Sequence, residues 1–188
     1  MGTLLAGVIV WMAAHLIPSM LVPLREALWR RLGWASRGLM AALILSGLYL
    51  MVTGWRETVP VAVYDPPVWG RHFNMALMYV AVLLLLVGRG RSRIKGWLRH
   101  PMLTGTILWA VGHLLANGDH RSILLFAGLG LWAAVEIVAI DRRDGHPPLP
   151  TDKPGVAREG LNLLAAALVY GALLVGHGYF AGVPLLPA

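Results

Sequence analysis

The chain has 188 residues, of which 57% are hydrophobic and 13% charged, and a mean hydropathy of +0.66, which excludes an ordinary water-soluble enzyme. It contains no cysteine, which excludes disulfides, thiolate nucleophiles, iron–sulfur clusters and cysteine-type zinc sites. The net charge of +7 does not indicate nucleic-acid binding, because most basic residues lie in short segments between apolar stretches.

Six apolar stretches are long enough to cross about 30 Å of hydrocarbon as helices. In chain order they cover residues 3–22, 38–55, 72–88, 101–117, 121–140 and 160–180. The sequence therefore predicts an all-α integral membrane bundle of six transmembrane helices, with residues 1–188 forming a single domain. The first stretch lacks a basic amino-terminal region and a small-residue cleavage site, so we interpret it as a retained span and not as a signal peptide.

The connecting segments predict an orientation. The first, third and fifth connections carry 13 lysines and arginines, whereas the alternate set carries only Arg56, Arg71 and Arg121. By the positive-inside rule, the basic connections face the cytoplasm of a bacterial inner membrane and both termini face the periplasm. In the first connection, Leu24, Leu28 and Leu32 follow a four-residue spacing, which is typical either of a helix lying in the membrane interface or of a short linker.

Ionisable residues inside predicted spans are candidate functional residues, because burying them in hydrocarbon is costly. His15 and His113 each lie about 13 residues inside their spans, so both fall in the membrane core and can approach within roughly 10 Å in depth. The remaining candidates lie nearer the membrane boundaries; they are His72, His100, Glu136 and His177. We expect Glu136 to form a structural pair with Arg99 or His100 at the cytoplasmic side.

Each core histidine has a tryptophan four residues earlier on the same helix face, Trp11 before His15 and Trp109 before His113. Gly105 and Gly112 lie beside the second pair, where a planar group has room to approach the backbone. Two neutral imidazoles facing each other across a bundle are typical of b-type haem binding. The alternative is that each histidine bonds to a carbonyl of a neighbouring helix while the tryptophans only pack.

Several motifs resemble those of the NnrU family of bacterial membrane proteins. The longest runs from Arg99-His100-Pro101 through Gly105, Trp109, Gly112 and His113 to Asp119. Shorter matches are His15-Leu16-Ile17-Pro18-Ser19, Asp65-Pro66-Pro67 with Trp69 and Arg71-His72, and Gly182-Val183-Pro184. The resemblance covers essentially the whole chain. It implies a role in denitrification, with components of nitrite or nitric oxide reductase as partners.

The family is also similar to plant zeta-carotene isomerase, an integral membrane enzyme that contains b-type haem. This similarity implies that His15 and His113 are the axial ligands of haem iron and that an apolar small molecule is the substrate. By their spacing on the helices, Trp11, Trp109, Gly105 and Gly112 belong to the cofactor-binding region. Arg99 is one of the cationic residues available for the haem propionates, and His72 or His100 replaces a ligand if one of these two assignments fails. A cysteine that exchanges as a ligand in the plant enzyme corresponds here to Ala110, so this chain cannot use that ligand exchange.

Two alternatives to a haem enzyme stay open. The Arg99-His100-Pro101 opening is also similar to membrane methyltransferases such as isoprenylcysteine carboxyl methyltransferase, in which this segment helps to bind S-adenosylmethionine. The other alternative is a non-catalytic assembly factor for the reductases. The sequence excludes nucleic acid as a partner and predicts membrane lipid as one.

Overall fold

A computed structural model describes residues 1–146, 148–151 and 153–185, and within these ranges it contains helices and loops but no strand. This part of the chain contains seven α-helices and one short 3-10 helix, Arg93–Gly96. The sixth α-helix includes a turn of π-helix at Ile123–Ala127. In chain order the α-helices are α1 (Gly2–Met20), α2 (Val22–Leu32), α3 (Ala35–Glu57), α4 (Gly70–Arg89), α5 (Pro101–Ala116), α6 (His120–Asp144) and α7 (Val156–Ala181).

The helices α1, α3, α4, α6 and α7 are long and apolar enough to cross a membrane. The predicted all-α fold and the multi-pass membrane character are therefore supported. The remaining predicted span, residues 101–117, is α5, an apolar helix of only 16 residues and about 24 Å. Its length follows from Pro101, which begins the helix, and from Asn117 and Gly118, where the chain turns toward α6.

The helix α6 lies at the centre of the bundle. It packs between α1 and α5, while α3 covers the other side of α1 and α4 covers the other side of α5; α7 packs on α4. The most buried apolar cluster joins α1, α3 and α6 and consists of Leu4, Val8, Met51, Leu129, Trp132 and Ala133. Side chains on the faces of α1 and α5 that point toward α6 therefore lie inside the bundle.

Glycines allow the helix backbones to touch in two pairs. At Gly54 of α3, an added Cβ would lie 2.6 Å from the Cα of Leu4 on α1. At Gly105 of α5, it would lie 2.9 Å from the carbonyl oxygen of Ala81 on α4. The absence of a side chain at these positions sets the spacing of α1 with α3 and of α4 with α5.

One end of the bundle, which we call the capped end, is closed by the segment 58–69 folding over the α5–α6 turn. The phenol of Tyr64 donates to the carbonyls of Leu114 and Asn117. Arg121 donates through Nη1 to the carbonyls of Trp55 (3.0 Å) and Thr58 (2.9 Å). The guanidinium of Arg121 also lies 4.2 Å from the Trp55 ring centroid, so this residue joins α3 to α6.

We expect Arg121→Gln to lower the free energy of unfolding by about 2 kcal/mol, because it removes two charged hydrogen bonds and a cation–π contact. Thermal unfolding in detergent measures the change. The matched control is Arg142→Gln, which removes one charge from an exposed position at the other end of α6. Equal melting temperatures for the two variants would show that the Arg121 contacts do not stabilise the fold.

The opposite end, which we call the basic end, gathers the connections on either side of α2, between α4 and α5, and between α6 and α7. Glu159 of α7 accepts hydrogen bonds from Ser92 (3.0 Å) and from the backbone of Arg93 (2.8 Å). His100 Nε2 lies 2.9 Å from Asp141 Oδ1, and the exposed His146 lies 3.5 Å from the same oxygen. These contacts bring together connections that the sequence places on one side of the membrane.

Candidate functional site

His15 and His113 both contact α6, at different levels. The ring centroid of His15 lies 4.8 Å from that of Trp132, whereas the ring of His113 stacks on Phe126 at 4.4 Å with an interplanar angle of 23°. Phe126 and Trp132 are six residues apart, or about 9 Å along the helix axis. The fold therefore positions both histidines against one central helix.

The two histidines share one local geometry. The Nδ1 atom of His15 lies 2.8 Å from the carbonyl oxygen of Trp11, and that of His113 lies 2.8 Å from the carbonyl oxygen of Trp109. A carbonyl only accepts, so Nδ1 carries the proton and Nε2 keeps its lone pair. The bonds run within one helix, and not to a neighbouring helix as the alternative from the sequence expected.

The tryptophans also contact the imidazoles through their side chains. The Trp11 ring centroid lies 4.6 Å from that of His15, and the Trp109 ring centroid lies 5.0 Å from that of His113. Trp11 packs edge to face on Trp132 at 5.6 Å, and Trp109 packs similarly on Phe126 at 4.8 Å. Each histidine is therefore held in an aromatic corner made by its own helix and α6.

Buried polar atoms without a hydrogen-bond partner gather near His15. In the described part of the chain they include Nε1 of Trp11, Nε1 of Trp132 and Oε2 of Glu136. Trp132 is 6% exposed and Glu136 is 7% exposed, so water does not reach these groups from the surface. Because buried donors and acceptors are nearly always paired, this cluster is suited to a ligand that has polar atoms.

The predicted pairing of Glu136 is wrong in its partner. Oε1 of Glu136 accepts a hydrogen bond from the hydroxyl of Ser19 on α1, and His100 pairs with Asp141 instead. Asp141 lies five residues, or about 8 Å, nearer the basic end than Glu136, at the level where α5 begins. Glu136 lies deeper in the bundle and faces α1. The length of the loop between α5 and α6 does not reveal this direction.

Arg99 and His100 lie at the end of α5 that is remote from His113. His100 precedes the first residue of α5 and is 13 residues, about 20 Å, from His113. Arg99 lies within electrostatic range of Asp141, which also contacts His100. Their assignment to cofactor binding stays a prediction. At the basic end, both interact with Asp141.

Gly105 and Gly112 face α4. An added Cβ at Gly112 would overlap the side-chain oxygen of Asn74 and lie 2.8 Å from Cε of Met78. That of Gly105 would lie 2.9 Å from the carbonyl oxygen of Ala81. The structure thus gives both glycines a packing role, and their contact with a planar cofactor stays a prediction.

The sequence did not single out several residues of this site. Phe126, Trp132 and Ser19 look like other apolar or small residues of their spans, and only the packing of α6 against α1 and α5 distinguishes them. His177 of α7 lies within electrostatic range of His113, and its Nδ1 lies 2.7 Å from the carbonyl oxygen of Val183. His72, by contrast, is exposed at the start of α4.

No three histidine, aspartate or glutamate side chains converge as metal ligands anywhere in residues 1–146, 148–151 and 153–185. The predicted iron site uses only two protein ligands and stays a prediction. Among known proteins, the model of one family, described as NnrU protein, matches residues 3–185. No curated protein and no solved structure matches the chain.

Proposed function

The chain belongs to the NnrU family, and on this premise we propose that it is an inner-membrane protein that binds one b-type haem through His15 on α1 and His113 on α5. The observation that carries the proposal is the shared geometry of the two imidazoles. Each holds its Nδ1–H on a backbone carbonyl and leaves Nε2 unprotonated, which is how histidine ligands of metals are oriented in proteins.

The residues around the two histidines fit this cofactor. The rings of Trp11, Trp109, Phe126 and Trp132 contact the imidazoles and give them apolar surroundings. The buried indole N–H groups of Trp11 and Trp132 have no acceptor in the described part of the protein and suit the polar groups of a ligand. A haem with two histidine ligands supplies electron transfer or sensing, and it admits a substrate only if one ligand dissociates.

The family resemblance supports a place for this protein in nitrogen-oxide respiration. We propose that it transfers electrons, senses redox state or handles haem there, with nitrite or nitric oxide reductase components as partners. If the haem protein is an enzyme, we propose that it isomerises an apolar substrate. The 13 basic residues of the first, third and fifth connections support a cytoplasmic basic end and periplasmic termini.

Absorption spectroscopy tests the haem directly. We expect the full chain, purified in mild detergent, to show a Soret band and sharp reduced α and β bands, with a pyridine haemochrome assay giving close to one haem per chain. A colourless protein that stays colourless after addition of haem would overturn the proposal. Binding of S-adenosylmethionine by that colourless protein would favour the methyltransferase, and copurification with a reductase would favour the assembly factor.

A further inference from the structure

A cleft at the basic end lies between the end of α1, the helix α2 and the start of α3. Its volume is about 790 Å³, within the range of pockets that hold small molecules. We call it the basic cleft. Its apolar wall consists of Ile17, Met40, Ala41 and Ile44, and its polar rim includes Arg25, Arg30 and Arg37.

The rim carries a net positive charge. The lining contains three arginines and one carboxylate, that of Glu26, and the charge of Asp144 on α6 also acts on Arg25, so positive charge is still in excess. The guanidinium of Arg37 lies 4.4 Å from the Trp34 ring centroid and 5.1 Å from that of Trp29, so two aromatic faces hold this charge in place. The rim is therefore suited to an anion, and arginine is the side chain that best matches the oxygens of a phosphate.

The apolar wall indicates which kind of anion fits. Met40, Ala41 and Ile44 belong to α3 and Ile17 to α1, and both helices are long and apolar enough to span a membrane. A compound dissolved in water gains little from such a wall, whereas an acyl chain beside the spans is buried by it. Arginines at the membrane boundary lie at the level of lipid headgroups.

We propose that the basic cleft binds an anionic phospholipid, with its phosphate at Arg25, Arg30 and Arg37 and an acyl chain along Met40, Ala41 and Ile44. The site is separate from the haem proposal, because His15 faces α6 through Trp132 whereas the cleft lies toward α2 and α3. Lipid bound there joins α2 to α3 and anchors α2 at the membrane surface, which explains how a helix with no buried residue keeps its position.

The test measures binding of a short-chain phosphatidylglycerol to the delipidated full-length protein in a neutral detergent. We expect Arg25→Gln combined with Arg37→Gln to raise the dissociation constant roughly thirtyfold, since each arginine contributes about fivefold near an anionic headgroup. The control is Arg142→Gln combined with Lys153→Gln, which removes two charges from exposed positions outside the cleft. We expect less than a threefold change there.

Three further measurements distinguish a bound phospholipid from a soluble phosphate compound and from non-specific electrostatic binding of an anion to the basic protein. Ala41→Trp fills the apolar wall without changing the charge, and we expect it to weaken binding of phosphatidylglycerol at least fivefold. Phosphatidylcholine of the same chain length should bind at least tenfold more weakly, and glycerol phosphate should not compete. Equal weakening in both arginine and control variants, unchanged binding in Ala41→Trp, equal affinity for phosphatidylcholine, or competition by glycerol phosphate would each overturn the proposal.

Discussion

His15→Ala and His113→Ala are each expected to eliminate the six-coordinate b-haem spectrum and to lower the haem content roughly tenfold or more. Each substitution removes one Nε2 that the fold leaves available, while its neighbours stay in place. Because both imidazoles are held by bonds within their own helix, neither variant disrupts a contact between helices through Nδ1. Reduced spectra and the pyridine haemochrome assay measure the loss.

The matched control is His146→Ala, because that histidine is exposed at the basic end, 3.5 Å from Asp141, at the level where α5 begins and about 20 Å along α5 from His113. It should keep the wild-type spectrum and haem content. Circular dichroism and size-exclusion profiles show whether each variant is folded. Normal spectra in both His15→Ala and His113→Ala would refute the ligand assignment. A different outcome would make His177 the second ligand: His15→Ala keeps the wild-type spectrum and haem content, whereas His113→Ala and His177→Ala both lose haem.

The second large effect is expected at the contact of α1 with α3. Gly54→Ala should lower the free energy of unfolding by at least about 3 kcal/mol, because the new methyl group would lie 2.6 Å from the Cα of Leu4. Backbone atoms of a helix cannot move aside as the tip of a flexible side chain can. The helices must therefore separate along the buried cluster that contains Leu4, Val8 and Met51. Thermal or denaturant unfolding in detergent measures the loss.

Gly38→Ala provides the control on the same helix. An added Cβ at Gly38 has no atom within 4 Å, so the substitution adds a methyl group to α3 without a clash. We expect its stability to stay within about 1 kcal/mol of the wild type, with a gain as the favoured direction because alanine is the better helix former. Similar stability for Gly38→Ala and Gly54→Ala would show that α1 and α3 are not in backbone contact.

Relations between residues on one helix were predictable from the sequence. A histidine four residues after a tryptophan lies above it on the same helix face, and the structure keeps Trp11 with His15 and Trp109 with His113. The turn at Asn117 to Asp119 ends α5 and begins α6 where the helix-stop residues stand. These features depend on helix geometry and capping, which act over a few residues.

Relations between helices were predictable only in outline. The short α5–α6 turn makes these helices neighbours, yet it does not show that Glu136 faces Ser19 of α1 while Asp141 contacts His100. The rotation of α6 about its axis decides this, and the packing of two helices on opposite sides of α6 sets that rotation. In the same way, the sequence did not show that Gly105 and Gly112 of α5 pack against α4.

Taken alone, the sequence determined that this is an all-helical membrane protein and where most of its spans begin and end. It could do so because hydropathy and the rise of a helix depend only on residue order. Only the tertiary structure decided that α6 is the central helix, that Phe126 and Trp132 hold the two histidines, and that Arg25 and Arg37 line one cleft. Those facts depend on which faces of the helices pack together, and in a membrane that choice is made by close side-chain fit and not by hydrophobicity.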